Sequence, residues 1–244
     1  MSQMRLDKYL ADMGVGTRSQ IKEDIKKGKV FVNDMMIKTP ELKVLPDSDI
    51  IFYDNELISY TKWEYIMLYK PAGVLSATRD KKIPTVLDLL KEKKRKDLFP
   101  VGRLDKDTEG LLFITNDGLL AHQILSPKNH VAKCYYVEVN GSLTQEMIEE
   151  FQTGLKLEDG YVTLPSELKI LKNMETQAQA EVTIYEGKYH QIKRMFEAVG
   201  RSVIYLKRLS MGTLVLDPNL EKGEYRYLTK EEIECLKEEG KKKE

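Results

Sequence analysis

The sequence is short of cysteine and histidine and has no long apolar run, and each shortage removes a class of function. It contains two cysteines, Cys134 and Cys235, with no short pair spacing. That excludes a disulfide framework and a cysteine-built zinc site, and it fits a reducing compartment. Three histidines, His122, His130 and His190, are scattered without metal-ligand spacing, so no metal and no cofactor is expected. No stretch is long enough to span a bilayer, and Met1–Leu10 carries no apolar signal region. These features predict a soluble cytoplasmic protein with no membrane partner. An excess of one charge is also missing: 39 basic residues balance 39 acidic ones. Bulk charge is therefore silent about nucleic acid, and only local clustering can speak. There is no internal repeat, no coiled-coil heptad pattern and no long apolar edge strand, so a monomer is expected.

What is present divides in two. A chain of 244 residues holds one sizeable core, or a small module and a larger one. Residues 1–59 read as the small module. Leu6, Tyr9, Leu10 and Met13 fall at helical spacing, and Gly14 and Gly16 end that helix. Thr17 or Arg18 opens a second helix with Ile21 and Ile25 inward, and Gly28 stops it. Val30–Val32 and Ile50–Phe52 read as short strands, with Asn33-Asp34 as a turn.

Residues 62–238 read as the larger domain. Tyr65–Tyr69, Leu111–Thr115, Lys133–Val139, Glu181–Tyr185, Ser202–Leu206 and Gly212–Leu216 are its strands. Helices are expected from Thr85 to Leu90, from an Asn116-Asp117-Gly118 cap through Leu125, after Thr144, over the Ile192-Met195-Phe196-Val199 stripe, and after Thr229, where Glu232 completes a capping box. Lys241-Lys-Lys243 is expected to be a disordered tail. Strands dominate and helices are interspersed irregularly. The fold class is therefore α+β with a mixed or antiparallel sheet, not a doubly wound one.

Arg18, Lys22, Lys26 and Lys29 follow at steps of four, four and three, which would place them in one basic stripe along the second helix. The plain alternative is a solvated helix face. Arg5-Leu-Asp-Lys-Tyr-Leu10, Gly16-Thr-Arg-Ser19 and Gly28-Lys-Val-Phe-Val-Asn33 together resemble the small RNA-binding domain first named after ribosomal protein S-four. That resemblance implies contact with structured RNA through basic side chains, and the candidates are Arg5, Arg18, Lys22, Lys26 and Lys29.

The segment richest in chemistry is Pro100–Thr115, in which apolar strands flank a polar loop carrying Arg103, Asp105, Lys106, Asp107, Thr108 and Glu109. Taken alone it reads as an ordinary charged turn, because one carboxylate in a polar loop is weak evidence of catalysis. Gly102-Arg-Leu-Asp-Lys-Asp-Thr-Glu-Gly-Leu-Leu112 resembles the signature of pseudouridine synthases of the ribosomal small-subunit synthase A group. Lys70-Pro-Ala-Gly73, Lys133-Cys-Tyr-Tyr-Val137, Glu186–Gly200 and Leu206-Lys-Arg208 match the same family in order.

The resemblance implies that Asp105 is the catalytic aspartate and that Tyr135 packs under the target base. It implies that Lys193 or Arg194 is the basic partner of the aspartate, and that Arg103 helps hold the extruded nucleotide. Breaking a C–N glycosidic bond and rejoining the same base through carbon needs no redox change and no leaving product, in keeping with the absence of cofactor motifs. A target base must leave its stack before side chains reach it. Whether the aspartate attacks the sugar, attacks the base or removes a sugar proton stays open. The implied partner is structured ribosomal RNA, small-subunit (16S) by the group resemblance, either free or in an assembly intermediate. Three alternatives stand beside it: a large-subunit synthase, a non-catalytic RNA-binding assembly factor, and a hydrolase built on Asp105 and Asp107. His190 reads as a structural hydrogen-bonder, and Lys91–Lys96 as either a phosphate contact or a mobile surface loop.

Overall fold

The computed structural model describes residues 3–241, which form two compact units. One unit runs to Glu64 and also takes in Lys91–Leu98; the other holds Tyr65–Leu90 and continues from Phe99. Lys242 and Lys243 of the expected tail lie outside the described residues, while Lys241 caps the last helix.

In the first unit, β1 (Met4–Arg5) leads into α1 (Leu6–Asp12), and α2 (Arg18–Lys26) follows. Thr17 starts α2 with a full capping box, its side chain accepting from Gln20 N–H while Gln20 reaches back. Leu6, Tyr9 and Leu10 of α1 pack with Ile21 and Ile25 of α2 in one buried cluster. β2 (Val30–Val32) turns at Asn33 and Asp34 into β3 (Met35–Ile37). Both turn residues have positive φ, 49° and 64°, the conformation of a tight hairpin turn that Asn and Asp tolerate. β4 (Lys43–Val44) pairs with β1, while β5 (Ile51–Tyr53) pairs with β2 and β6 (Glu56–Leu57) with β5.

Two expectations change here. Lys29 lies beyond α2, so it does not continue the helical stripe. The chain has already turned at Gly28, and the Lys29 ammonium pairs with Asp54 (3.2 Å) and Asp24 (3.7 Å). Lys91–Lys96 belongs to this unit and is anchored within it. The Arg95 guanidinium is buried, bonds Asp97 (2.6 and 2.9 Å) and lies 3.6 Å from Asp12, while Glu64 accepts the Lys94 and Arg95 N–H groups.

The second unit is built on a mixed sheet. Its strands are β7 (Tyr65–Lys70), β8 (Phe99–Pro100), β9 (Glu109–Thr115), β10 (Lys133–Asn140), β11 (Glu167–Asn173), β12 (Gln177–Ile184), β13 (Val203–Met211), β14 (Leu214–Val215) and β15 (Tyr225–Tyr227). The path is β11-β12-β10-β13-β9-β7-β15, with β14 beside β13 and β8 beside β9. Only the β13–β9 pairing among these is parallel. β9 is buried along its whole length, which explains its continuous apolar run. β10 and β12 alternate buried and half-exposed residues, because one face of each meets the core. Helices α3 (Gly118–Leu125), α4 (Gln145–Thr153), α5 (Gln191–Ala198) and α6 (Lys230–Gly240) cover the sheet and its ends. Thr144 and Thr229 cap α4 and α6 as expected, and of Asn116-Asp117-Gly118 it is Asp117 that caps α3.

Thr85–Leu90 is not a helix. Asp88 does accept from the Thr85 N–H and hydroxyl (2.7 and 2.9 Å), but the segment closes one turn and stops as the chain passes into the first unit at Lys91. One capped turn does not repay the cost of helix nucleation.

The single parallel pairing fixes the end of the polar loop. Lys207 and Arg208 of β13 lie opposite Glu109 and Gly110 of β9. Gly110 has φ 105°, and a Cβ there would stand 2.6 Å from the Arg208 nitrogen and nearer still to its carbonyl oxygen. Neither obstacle is a movable side chain. Gly110→Ala is therefore expected to lower unfolding stability by at least about 3 kcal/mol, read as a fall in the urea midpoint or as loss of soluble folded protein. A variant within about 0.5 kcal/mol of wild type would refute this close-approach argument.

Candidate active site

The loop between β8 and β9 has no regular structure, and it is held by its neighbours. Lys70, the last residue of β7, is fully buried. Its ammonium donates to the carbonyls of Pro71 (3.0 Å), Asp105 (3.0 Å), Lys106 (3.3 Å) and Thr108 (2.8 Å). The Gly73 N–H donates to the Lys106 carbonyl (2.8 Å). The Ser76 hydroxyl both donates to the Leu104 carbonyl and accepts its N–H (2.9 and 3.0 Å). The Lys70-Pro-Ala-Gly73 segment thus ties down the backbone that carries Asp105.

Asp105 stands at a cavity of about 110 Å³ that is also lined by Arg103, Thr108, Lys133, Tyr135, Lys193 and Arg208. A cavity of roughly 150 Å³ accommodates benzene, so the space is on the scale of one planar ring. Tyr135 comes from the inward face of β10 and is buried. Tyr136 is on the other face, where its hydroxyl bonds Glu138 (2.6 Å) and its ring meets Tyr205 edge-on. The Lys193 ammonium, from the first turn of α5, is 3.6 Å from the Asp105 carboxylate and 2.7 and 2.8 Å from the two oxygens of Asp107. The His190 ring is also 3.6 Å from Asp105, on its other oxygen. His190 has φ 47° at the start of α5, and its ring stacks on Tyr189 at 3.7 Å. The nearby Lys193 holds the Asp107 carboxyl below its usual range, against the opposing effect of burial.

The structure separates the two adjacent cations. Arg194 pairs with Asp159 (2.5 Å) and lines a different hollow, with Lys156, Leu157 and Glu158. Successive helix residues are about 100° apart, so Lys193 and Arg194 cannot both face Asp105. Arg103 is exposed at the cavity and has no side-chain partner among the described residues.

In the first unit, Arg5 is held by Asp7 (2.8 Å) and Glu41 (3.0 Å), and Lys22 lies 4.0 Å from Asp7. Arg18 and Lys26 are exposed and carry no ion pair among the described residues. Sequence patterns assign no site role to Lys70 or Arg208 and leave His190 as a structural hydrogen-bonder. The signal for all three was their place inside the quoted motifs, with Lys70 further marked by ending an apolar strand.

No group of His, Cys, Asp and Glu among the described residues could hold a metal ion. No described helix is long and apolar enough to cross a membrane.

An α+β domain with a carboxylate at a ring-sized cavity walled by a tyrosine, in a chain that also carries a small unit opening on two helices, is the build of a nucleotide-modifying RNA enzyme. Residues 64–198 match the family model described as RNA pseudouridylate synthase, and residues 4–50 match that of the S4 domain. An uncharacterized RNA pseudouridine synthase of Bacillus subtilis is 48% identical over 96% of this chain and 99% of its own. Ribosomal small subunit pseudouridine synthase A of Vibrio parahaemolyticus is 42% identical over 96% of this chain and 99% of its own. The Escherichia coli protein of the same name is 38% identical over 94% of this chain and 98% of its own. A crystal structure of a pseudouridylate synthase superposes with TM-score 0.67 at 37% identity, covering 96% of this chain and 99% of that one. The chain belongs to the RNA pseudouridylate synthase family and is an RNA pseudouridine synthase, an isomerase, carrying an S4 RNA-binding domain.

Burial pulls the Lys70 ammonium from its usual 10.5 down to about 8, while the charges of Asp107, Asp105 and Glu109 act against that shift. Between about pH 8 and 10.5 the unfolded chain keeps this proton and the folded chain does not. Stability contributed by this group therefore rises with pH in that window. Its hold on the loop does the reverse, because the neutral amine has one donor fewer. Turnover is expected to decline as pH passes about 8, without a matching fall in urea resistance. Lys70→Met is expected to lower unfolding free energy by about 2–4 kcal/mol by leaving buried carbonyls without their donor. A denaturant titration within about 0.5 kcal/mol of wild type would show that the clamp is not needed.

Proposed function

We propose that this enzyme converts one uridine of small-subunit ribosomal RNA to pseudouridine, with Asp105 as the essential carboxylate. The observation that carries the reading is the Asp105 carboxylate at a ring-sized cavity, 3.6 Å from the Lys193 ammonium and sharing its walls with Tyr135. Lys193 sets a positive charge 3.6 Å from this carboxylate, a group able to act as nucleophile or base. Tyr135 is the apolar floor for an everted uracil and returns part of the lost stacking energy, about 1–3 kcal/mol. Arg103, at the cavity mouth, pairs with the backbone of the extruded nucleotide. The reaction breaks the C1′–N1 bond, turns the uracil, joins C5 to C1′ and moves one proton from C5 to N1. It is complete without a co-reactant.

Small-subunit RNA is favoured by the relatives that carry that substrate in their names. In this reading the first unit grips the RNA, free or in an assembling particle, and the enzyme acts as a monomer. Arg18 and Lys26 are the phosphate contacts best suited to the task, since Arg5, Lys22 and Lys29 lie within ion-pair distance of carboxylates in the protein. The hydrolase alternative is weakened because Asp107 is largely exposed and held by Lys193.

Purified protein incubated with ribosomal RNA should form pseudouridine, and Asp105→Asn should reduce conversion at least about a thousandfold. Residual activity within tenfold of wild type would remove Asp105 from the chemistry. Cells lacking the gene should lose a pseudouridine from small-subunit RNA; loss from large-subunit RNA instead would overturn the substrate assignment. Replacing both Arg18 and Lys26 with Ala should weaken RNA binding and reduce the slope of log affinity against log salt by about two. An unchanged slope would place the RNA elsewhere.

A further inference from the structure

Two side-chain atoms in the described structure are buried and have no hydrogen-bond partner: Thr108 Oγ1 and Arg208 Nη2. Both residues are only 2% exposed, and both line the cavity of Asp105 and Tyr135. The backbone of each is held in place. Thr108 is fixed through its own backbone, its N–H donating to the Asp105 carbonyl and its carbonyl accepting from Lys70. Arg208 is fixed by the parallel pairing of β13 with β9, and its Nε donates to the Leu111 carbonyl at 2.8 Å. Lys133, the other buried cation on the cavity wall, donates to the Val131 carbonyl (2.9 Å). The buried wall thus offers spare donor capacity at Arg208 and a spare hydroxyl at Thr108. An orphaned guanidinium nitrogen in a protein interior is costly unless something completes it.

Resting on the reading of this cavity as the uracil site, we propose that Arg208 and Thr108 read the O2–N3–O4 edge of the everted base. Arg208 Nη2 donates to a ring carbonyl, and Thr108 Oγ1 accepts from N3–H. Guanidinium is donor-only and hydroxyl is amphoteric. Uracil's edge runs acceptor, donor, acceptor, and it is symmetric about the line from N3 to C6. Isomerisation turns the ring about that same line: N1 and C5 exchange places, O2 and O4 exchange places, and N3 stays put. One fixed pair therefore satisfies the base before the turn and after it. Cytosine's edge lacks this symmetry, since one end is an amino donor. It would set donor against donor at Arg208 in one of the two poses. The pair thus selects uracil and holds the detached ring in plane, and Arg208 also stabilises negative charge on the carbonyl oxygens when the C1′–N1 electron pair remains on the base.

The test uses the full chain, an RNA oligonucleotide carrying the target uridine, and the same oligonucleotide with cytidine at that position. Thr108→Val removes a hydroxyl that has no partner in the free protein, so its melting temperature should be unchanged or higher, while single-turnover conversion should fall about tenfold. Arg208→Lys should lower conversion about a hundredfold and reduce the preference for uridine over cytidine RNA in binding. The affinity of both variants for the uridine RNA as a whole should stay within about threefold. Folded variants that convert uridine within threefold of wild type and keep the uridine preference would overturn the proposal. If Arg208→Lys does not fold, Thr108→Val alone decides by its rate. Full conversion by Asp105→Asn would instead overturn the assignment of the site itself, whatever these two variants do.

Discussion

The Asp105 carboxylate sits on a loop with no ladder of its own, and one buried ammonium keeps that loop in place. The Lys70 Nζ atom gathers carbonyls from Pro71, Asp105, Lys106 and Thr108. A lysine has three donors that a backbone turn can surround, and burial makes each of them stronger and their loss more costly. Asp105 and Thr108 owe their positions on the cavity wall to that contact. The other wall is set by β13, which can approach β9 only because Gly110 carries no side chain. The clamp and the close approach together give the cavity its shape.

The site is rich in charge, and it is ordered by distance. Lys193 makes its short bonds to Asp107, at 2.7 and 2.8 Å, and stands at 3.6 Å from Asp105. Asp107 therefore anchors the ammonium, and the Asp105 carboxylate is left with a positive neighbour without being sealed by it. His190 occupies the same distance on the other side. A carboxylate that must engage a substrate is better served by such neighbours than by a saturated salt bridge, because a short ion pair would have to break first.

The first unit has a different electrostatic character. Arg5 and Lys29 are tied to carboxylates within it, and Lys22 lies close to one. Only part of the basic sequence pattern is therefore available to a polyanion, and net charge says nothing about which part. The segment Lys91–Lys96 makes the same point: its Arg95 is a buried cross-link, not a surface contact.

Local patterns alone determined much of this molecule. The two helices and turn of the first unit, the caps at Asp117, Thr144 and Thr229, the buried run of β9 and the alternation of β10 are all legible, because each rests on spacing and capping within a few residues. The resemblance in motif order placed Asp105 and Tyr135 together before any coordinates did. The short strands β1, β3, β4, β6 and β8 were not legible, being two or three residues long, and neither were β11 and β15. The last two are the edges of the main sheet, β11 mostly exposed, and an edge strand need not carry an apolar pattern. The Thr85 cap was legible but its consequence was not, since helix length is decided by what the chain meets next. The choice between Lys193 and Arg194 also lay beyond the sequence: both are basic and adjacent, and only the docking of α5 decides which one faces Asp105. The same holds for Lys70 and Arg208. Their types were visible, but what a buried cation does depends on which acceptors the rest of the fold brings to it.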